Sequence, residues 1–202
     1  MIEARHYTAA IRQEFQHAPT PGQEEVIHRL SDFLAQEAAD QLFILKGYAG
    51  TGKTSLVSAL VKALPKFGRQ SVLLAPTGRA AKVLASYSGQ QAHTIHRRIY
   101  FMNTVSDGRL RFVLQRNPYK NAVFIVDEAS MINDAYGQGQ DLFAGSRLLD
   151  DLFSFVKSGT GCKMIFVGDT AQLPPVGLSE SPALDHEYLA AGFQLNIQHQ
   201  EL

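Results

Sequence analysis

The sequence predicts an α/β fold, a doubly wound parallel sheet with an inserted β-hairpin, and three observations point there. Four short runs, at residues 42–45, 72–75, 123–126 and 164–167, are continuously apolar, as strands covered on both faces are. Helix-forming segments alternate with them. Two extended stretches around Asp107-Gly108 give a hairpin signal that breaks the alternation.

The elements follow in chain order. Residues 23–39 place Val26, Ile27, Leu30, Phe33 and Leu34 on one helical face. The run at 42–45 leads into Gly47-Tyr48-Ala49-Gly50-Thr51-Gly52-Lys53-Thr54, which fills every fixed position of G-x-x-x-x-G-K-[ST]. A helix over 55–64 is expected next, stopped by Pro65. The second run continues into Pro76-Thr77-Gly78-Arg79 and a short helix over 79–85. Residues 99–118 form the expected inserted hairpin subdomain, and 137–140 read as a flexible loop. Residues 146–157 carry Leu148, Leu149, Leu152, Phe153 and Val156 on a helical face. The third and fourth runs end in Asp127-Glu128 and in Gly168-Asp169, with Gln172 and the turn-forming Pro174-Pro175 just beyond. No capping element is evident at the end of the chain.

Composition bounds the partners. With 19 basic and 19 acidic residues the formal net charge is zero, so any polyanion-binding surface must be local. A lone cysteine, Cys162, excludes an intramolecular disulfide and fits a reducing compartment, and no apolar stretch approaches the ~20 residues of a membrane span. A cytoplasmic soluble protein is expected, with no membrane partner.

The chemistry concentrates at strand ends. Glycines in a phosphate-binding loop let backbone N–H groups point at phosphate oxygens, and the following helix N-terminus adds partial positive charge. Gly47, Tyr48, Ala49, Gly50, Thr51, Gly52, Lys53, Thr54 and Ser55 are therefore expected to hold a nucleoside triphosphate. Lys53 would neutralise the β- and γ-phosphates, and the Thr54 hydroxyl would ligate Mg²⁺. Asp127 is the second metal candidate, Glu128 the candidate base for the attacking water, and Gln172 the candidate γ-phosphate sensor. Small residues and hydroxyls at the helix start that follows Ala75 could let a sugar-phosphate backbone approach closely, with Thr77, Arg79 and Lys82 in contact, or could simply cap a helix with exposed cations. His93 and His96, three residues apart, are a metal pair only in principle, because no third ligand lies near in sequence.

Together, residues 47–54, 75–81, 93–97, 126–130 and 168–177 resemble the first motor domain of superfamily 1 DNA helicases, most closely the RecD-like branch of exonuclease V alpha-subunit type. The resemblance spans most of the chain. It implies a RecA-like ATPase domain over 1–202, the first of two, with ATP and Mg²⁺ as cofactors and 5′–3′ unwinding by the full-length protein. It carries Lys53, Glu128 and Gln172 over as catalytic residues, Thr54 and Asp127 as metal residues, and Gln23 as the reader of adenine. Pro76, Thr77, Gly78, Arg79, Thr94 and His96 match the family's single-stranded DNA track. Implied partners are single-stranded DNA and helicase-nuclease subunits, in DNA repair and recombination. The hairpin lies where related helicases carry a strand-separating pin, with Phe101 or Phe112 as its aromatic. The chain looks truncated before a second motor domain, so weak hydrolysis and no unwinding are expected of it alone. Two other readings remain open at this point: a P-loop phosphotransferase, and a non-hydrolysing ATP-binding module that recruits a partner.

Overall fold

The computed structural model describes residues 2–37, 41–104, 110–132, 134, 147–169, 171–172 and 181–202, the side chains of residues 104 and 110 excepted. Two helices, α1 (Ala4–Gln13) and α2 (Pro21–Ala35), precede β1 (Gln41–Lys46). Then come α3 (Lys53–Ala63), β2 (Gln70–Ala75), α4 (Gly78–Ser88), β3 (Ala92–Thr94) and α5 (Ile95–Ile99). A hairpin of β4 (Tyr100–Thr104) and β5 (Leu110–Leu114) interrupts the alternation before β6 (Ala122–Val126). The remainder is α6 (Leu148–Lys157), β7 (Lys163–Gly168), α7 (His186–Phe193) and β8 (Asn196–Glu201).

The main sheet has the order β3-β2-β6-β7-β1-β8. Every pairing in it is parallel. Its four central strands contain the four apolar runs, because a strand buried on both faces has no solvent side to make polar. Successive residues serve opposite layers: Phe43 and Leu45 join α1 to α4 in one core cluster, while Leu42 and Ile44 join α5, α6 and α7 in the other. The sheet is thus covered by helices on both faces, as a doubly wound fold requires.

Helix boundaries differ from the sequence expectations in three instructive places. The second helix begins at Pro21, behind a Thr20–Gln23 capping box, and ends at Ala35 instead of 39. Its apolar stripe ends at Leu34, since the next position on that face, Glu37, is exposed. The third helix spans Lys53–Ala63, starting two residues before the expected 55 and ending just ahead of Pro65, which falls in a following 3₁₀ segment, Leu64–Phe67, where a missing N–H costs nothing. The fourth helix runs on to Ser88 and ends at Gly89, whose φ of +71° suits a C-terminal cap.

Strands β4 and β5 pair antiparallel, Phe101 opposite Val113 and Met102 opposite Phe112. Tyr100, Phe112 and Leu114 pack on the second core cluster, whereas Phe101 is 45% exposed. The Asp107-Gly108 turn, the 137–140 loop, residues 146 and 38–40, and the stretch 173–180 lie outside the described residues.

Candidate nucleotide and nucleic-acid site

Parallel strands put their C-terminal ends along one edge, and the register fixes what lines it. Ala75 pairs with Thr94, Leu74 with Val126, Val126 with Phe166, and Lys46 with Gly168. Reading across the edge, β3 ends in Thr94, and the residues that follow β2, β6, β7 and β1 are Pro76, Asp127, Asp169 and Gly47. Two strand spacings, ~10 Å, separate the tips of β1 and β6, about the span of a triphosphate with its cation. The residues expected to hold nucleotide therefore lie at the centre of the edge, and those expected to line a DNA track lie on its β2–β3 side.

The phosphate loop joins β1 to α3. Gly50 and Gly52 stand at φ +83° and +98°, a region that costs a side chain-bearing residue energy. A Cβ at Gly52 would come within 2.1 Å of the Gln23 amide nitrogen, and one at Gly47 within 2.9 Å of the Leu202 carbonyl and the Thr51 hydroxyl. Gly47 is required by packing against backbone, and Gly52 by its left-handed conformation, since the Gln23 amide is the movable end of a side chain. Lys53 curls over its own loop, its ammonium donating to the carbonyls of Gly47 at 2.5 Å and Tyr48 at 2.7 Å and lying 4.0 Å from Asp169. Tyr48 itself is exposed, as are Ala49, Thr54 and Ser55.

A continuous polar network joins the other strand tips to this lysine. Asp169 is buried and accepts from the Ala171 amide, and its carbonyl accepts from the Gln172 amide. The Gln172 side chain donates to Glu128 at 2.8 Å and accepts from the Ser130 hydroxyl at 2.9 Å. Glu128 sits at φ +53°, a strained conformation that turns its carboxylate out of the strand direction. Asp127 accepts from the Tyr87 hydroxyl at 2.7 Å. Burial, then the Asp127 carboxylate, hold the Tyr87 phenol far above its usual range, so it stays a donor.

The donor set fits the ligands expected. Thr54 and Asp127 offer hydroxyl and carboxylate oxygens, the hard ligands Mg²⁺ takes in company with substrate phosphates. The glycine cradle and an ammonium poised above it suit phosphate.

Gln23 is occupied at both ends of its amide. The oxygen accepts from the Thr20 backbone at 3.0 Å and the nitrogen donates to the Thr51 carbonyl at 3.3 Å, tying α2 to the phosphate loop. On the other side of the edge, Thr77 and Thr94 cap α4 and α5 by accepting from the Ala80 and Arg97 amides. Thr77, Gly78 and Arg79 are exposed and Pro76 half-buried. Burial lowers the His96 pKa, and its ring lies 5.9 Å from that of Tyr100. His93 is lowered by burial and by Arg98 and Arg97, and no third ligand joins the histidine pair among the described residues.

Sequence reasoning passed over Tyr87, Ser130 and Asp169. Ser130 lies within the strand-end motif at 126–130 and Asp169 in the turn after the fourth run, so a search of each motif for hydrogen-bonding neighbours would have found both. Tyr87, forty residues from Asp127, leaves no such signal.

A family described as an AAA domain matches residues 19–184. The ATP-dependent RecD2 DNA helicase of Deinococcus radiodurans is 32% identical over 158 residues, 78% of this chain and 19% of that protein. The ATP-dependent DNA helicase dda of Enterobacteria phage T4 is 32% identical over 142 residues, 69% of this chain and 29% of that protein. Among solved structures, a Pif1 helicase from Bacteroides in complex with ADP-AlF3 and ssDNA superposes with a TM-score of 0.52 over 93% of this chain and 43% of that one, at 19% identity, a likeness of fold. The chain thus spans less than a third of the length of the curated relatives named here. It belongs to the AAA domain family, in the form taken by the first motor domain of superfamily 1 helicases.

Proposed function

We propose that this chain is the first RecA-like motor domain of an ATP-dependent DNA helicase, which binds ATP·Mg²⁺ and single-stranded DNA and serves 5′–3′ unwinding in the full-length protein. The observation that carries the reading is the convergence of the strand tips: the Lys53 ammonium lies 4.0 Å from the Asp169 carboxylate, and hydrogen bonds run from Asp169 through Gln172 to Glu128, next in sequence to Asp127.

Lys53 exchanges two neutral carbonyl partners for phosphate oxygens when a triphosphate enters the loop, and anionic acceptors make the stronger bonds. Thr54 and Asp127 would hold Mg²⁺, which neutralises phosphate charge when bound. Glu128 takes the proton of the attacking water. Gln172, oriented by Ser130, reports the γ-phosphate to Glu128 through the bond they share. Reading of adenine by Gln23 requires its Thr51 bond to give way to the base edge, which would couple base recognition to loop shape.

DNA passes along Pro76, Thr77, Gly78, Arg79, Thr94 and His96. Exposed Arg79 supplies phosphate contact, and the capped helix starts let a backbone approach. Residues 99–118 serve as the pin subdomain, with exposed Phe101 as the stacking aromatic. Helicase-nuclease subunits are the proposed protein partners, and repair and recombination of DNA the proposed setting, in the cytoplasm.

The test is ATP turnover by the full-length protein with and without single-stranded DNA. Stimulation by DNA, lost in Glu128→Gln, supports the motor; turnover indifferent to DNA favours a phosphotransferase. Wild-type turnover no higher than that of Glu128→Gln, with or without DNA, leaves the non-hydrolysing recruitment module.

A further inference from the structure

Tyr87 stands in the last turn of α4, and three contacts tie it to the nucleotide site. Its hydroxyl donates to Asp127 Oδ2 at 2.7 Å. Its carbonyl accepts from the Ser58 hydroxyl at 3.1 Å, on the helix that the phosphate loop opens into. Its ring packs against the first core cluster and lines a cavity of about 400 Å³ together with Gln23, Thr54, Ser55 and Ser58. The phenol therefore reaches the metal carboxylate from the same hollow that Thr54, the other metal residue, faces.

A carboxylate at a strand tip can rotate about its last bond, and a rotating ligand must lose that freedom to bind a cation. One fixed hydrogen bond to Oδ2 removes the freedom in advance and leaves Oδ1 as the oxygen to offer. Partners that hold a ligating group in this way typically matter 10- to 100-fold in metal affinity. Ser58 in turn holds the Tyr87 backbone, so hydrogen bonds join the phosphate-loop helix to the tyrosine and the tyrosine to the aspartate.

We propose that Tyr87 is a positioning residue for the cation of the nucleotide complex, orienting Asp127 while itself touching neither metal nor nucleotide. The proposal rests on the ATP·Mg²⁺ reading of the site. Its bland competitor is that the ring merely fills the seam between α3 and α4, and Tyr87→Phe separates the two because it keeps the ring and removes one oxygen.

The experiment measures binding of a fluorescent ATP analogue to the 202-residue chain against free Mg²⁺, and again in EDTA. In Tyr87→Phe the Mg²⁺ concentration for half of the affinity gain should rise about tenfold, while affinity in EDTA and the thermal midpoint stay near the wild-type values. In an Asp127→Asn background the same substitution should add nothing further. Coincident Mg²⁺ curves overturn the proposal, and so does a lowered midpoint with an unchanged Mg²⁺ response, which would make Tyr87 a packing residue. A wild-type chain that binds no nucleotide under either condition refutes the ATP reading itself, a different failure from a Mg²⁺ response that ignores Tyr87.

Discussion

At the scale of single residues, charge and backbone conformation decide what each position tolerates. Replacing Gly52 with Ala forces a Cβ into both a left-handed backbone and the Gln23 amide. The cost should be about 1–2 kcal/mol, together with weakened nucleotide binding, measurable by urea unfolding and titration. Lys163 makes a separate prediction at the other end of the sheet. It is 5% exposed, donates to Gln41 at 2.7 Å and lies over the Phe33 ring, and burial, then Arg69, push its pKa down to about 8. Below that pH the folded state must carry a buried ammonium. Between about 8 and the ordinary 10.5 the unfolded chain holds a proton that the folded one lacks, so stability rises with pH across this window. The gain is at most roughly 3 kcal/mol. Lys163→Met should abolish the rise, and parallel unfolding curves for the two proteins from pH 8 to 10 would contradict the account.

At the scale of elements, legibility followed pattern. The four central strands could be read because burial on both faces leaves continuous apolar runs, and the phosphate loop because its chemistry fixes residue types at fixed spacing. The edge strand β8 could not: Asn196-Ile197-Gln198-His199-Gln200-Glu201 pairs with β1 through its backbone, and its exposed positions have no reason to be apolar. The first helix went unread for a related reason, since only Tyr7, Thr8, Ala10 and Ile11 of its ten residues are buried. The hairpin was legible from Asp107-Gly108, but not which phenylalanine is free. Packing now separates the two. Phe112→Ala should lower stability by roughly 1–3 kcal/mol, less than the loss of a fully buried ring, and Phe101→Ala should leave stability unchanged while slowing strand separation by the full-length enzyme. Equal effects of both on unfolding would remove the distinction.

At the scale of the whole molecule, one parallel edge sets the proposed nucleotide residues beside the proposed nucleic-acid track, with Asp127 following the strand between those that Pro76 and Asp169 follow. In the proposed two-domain motor, an arginine finger supplied by the other domain would add about 10³–10⁵ in phosphoryl-transfer rate. The 202-residue chain should therefore bind nucleotide, hydrolyse it slowly and unwind nothing; robust strand separation by it would refute this division of labour. The most direct measurement is equilibrium binding of Mg·ATP to the wild-type chain and to Lys53→Ala, by calorimetry. The account predicts measurable binding that weakens roughly 10- to 100-fold on loss of the charged partner. Binding that is equally strong in Lys53→Ala would contradict the placement of the triphosphate at this edge.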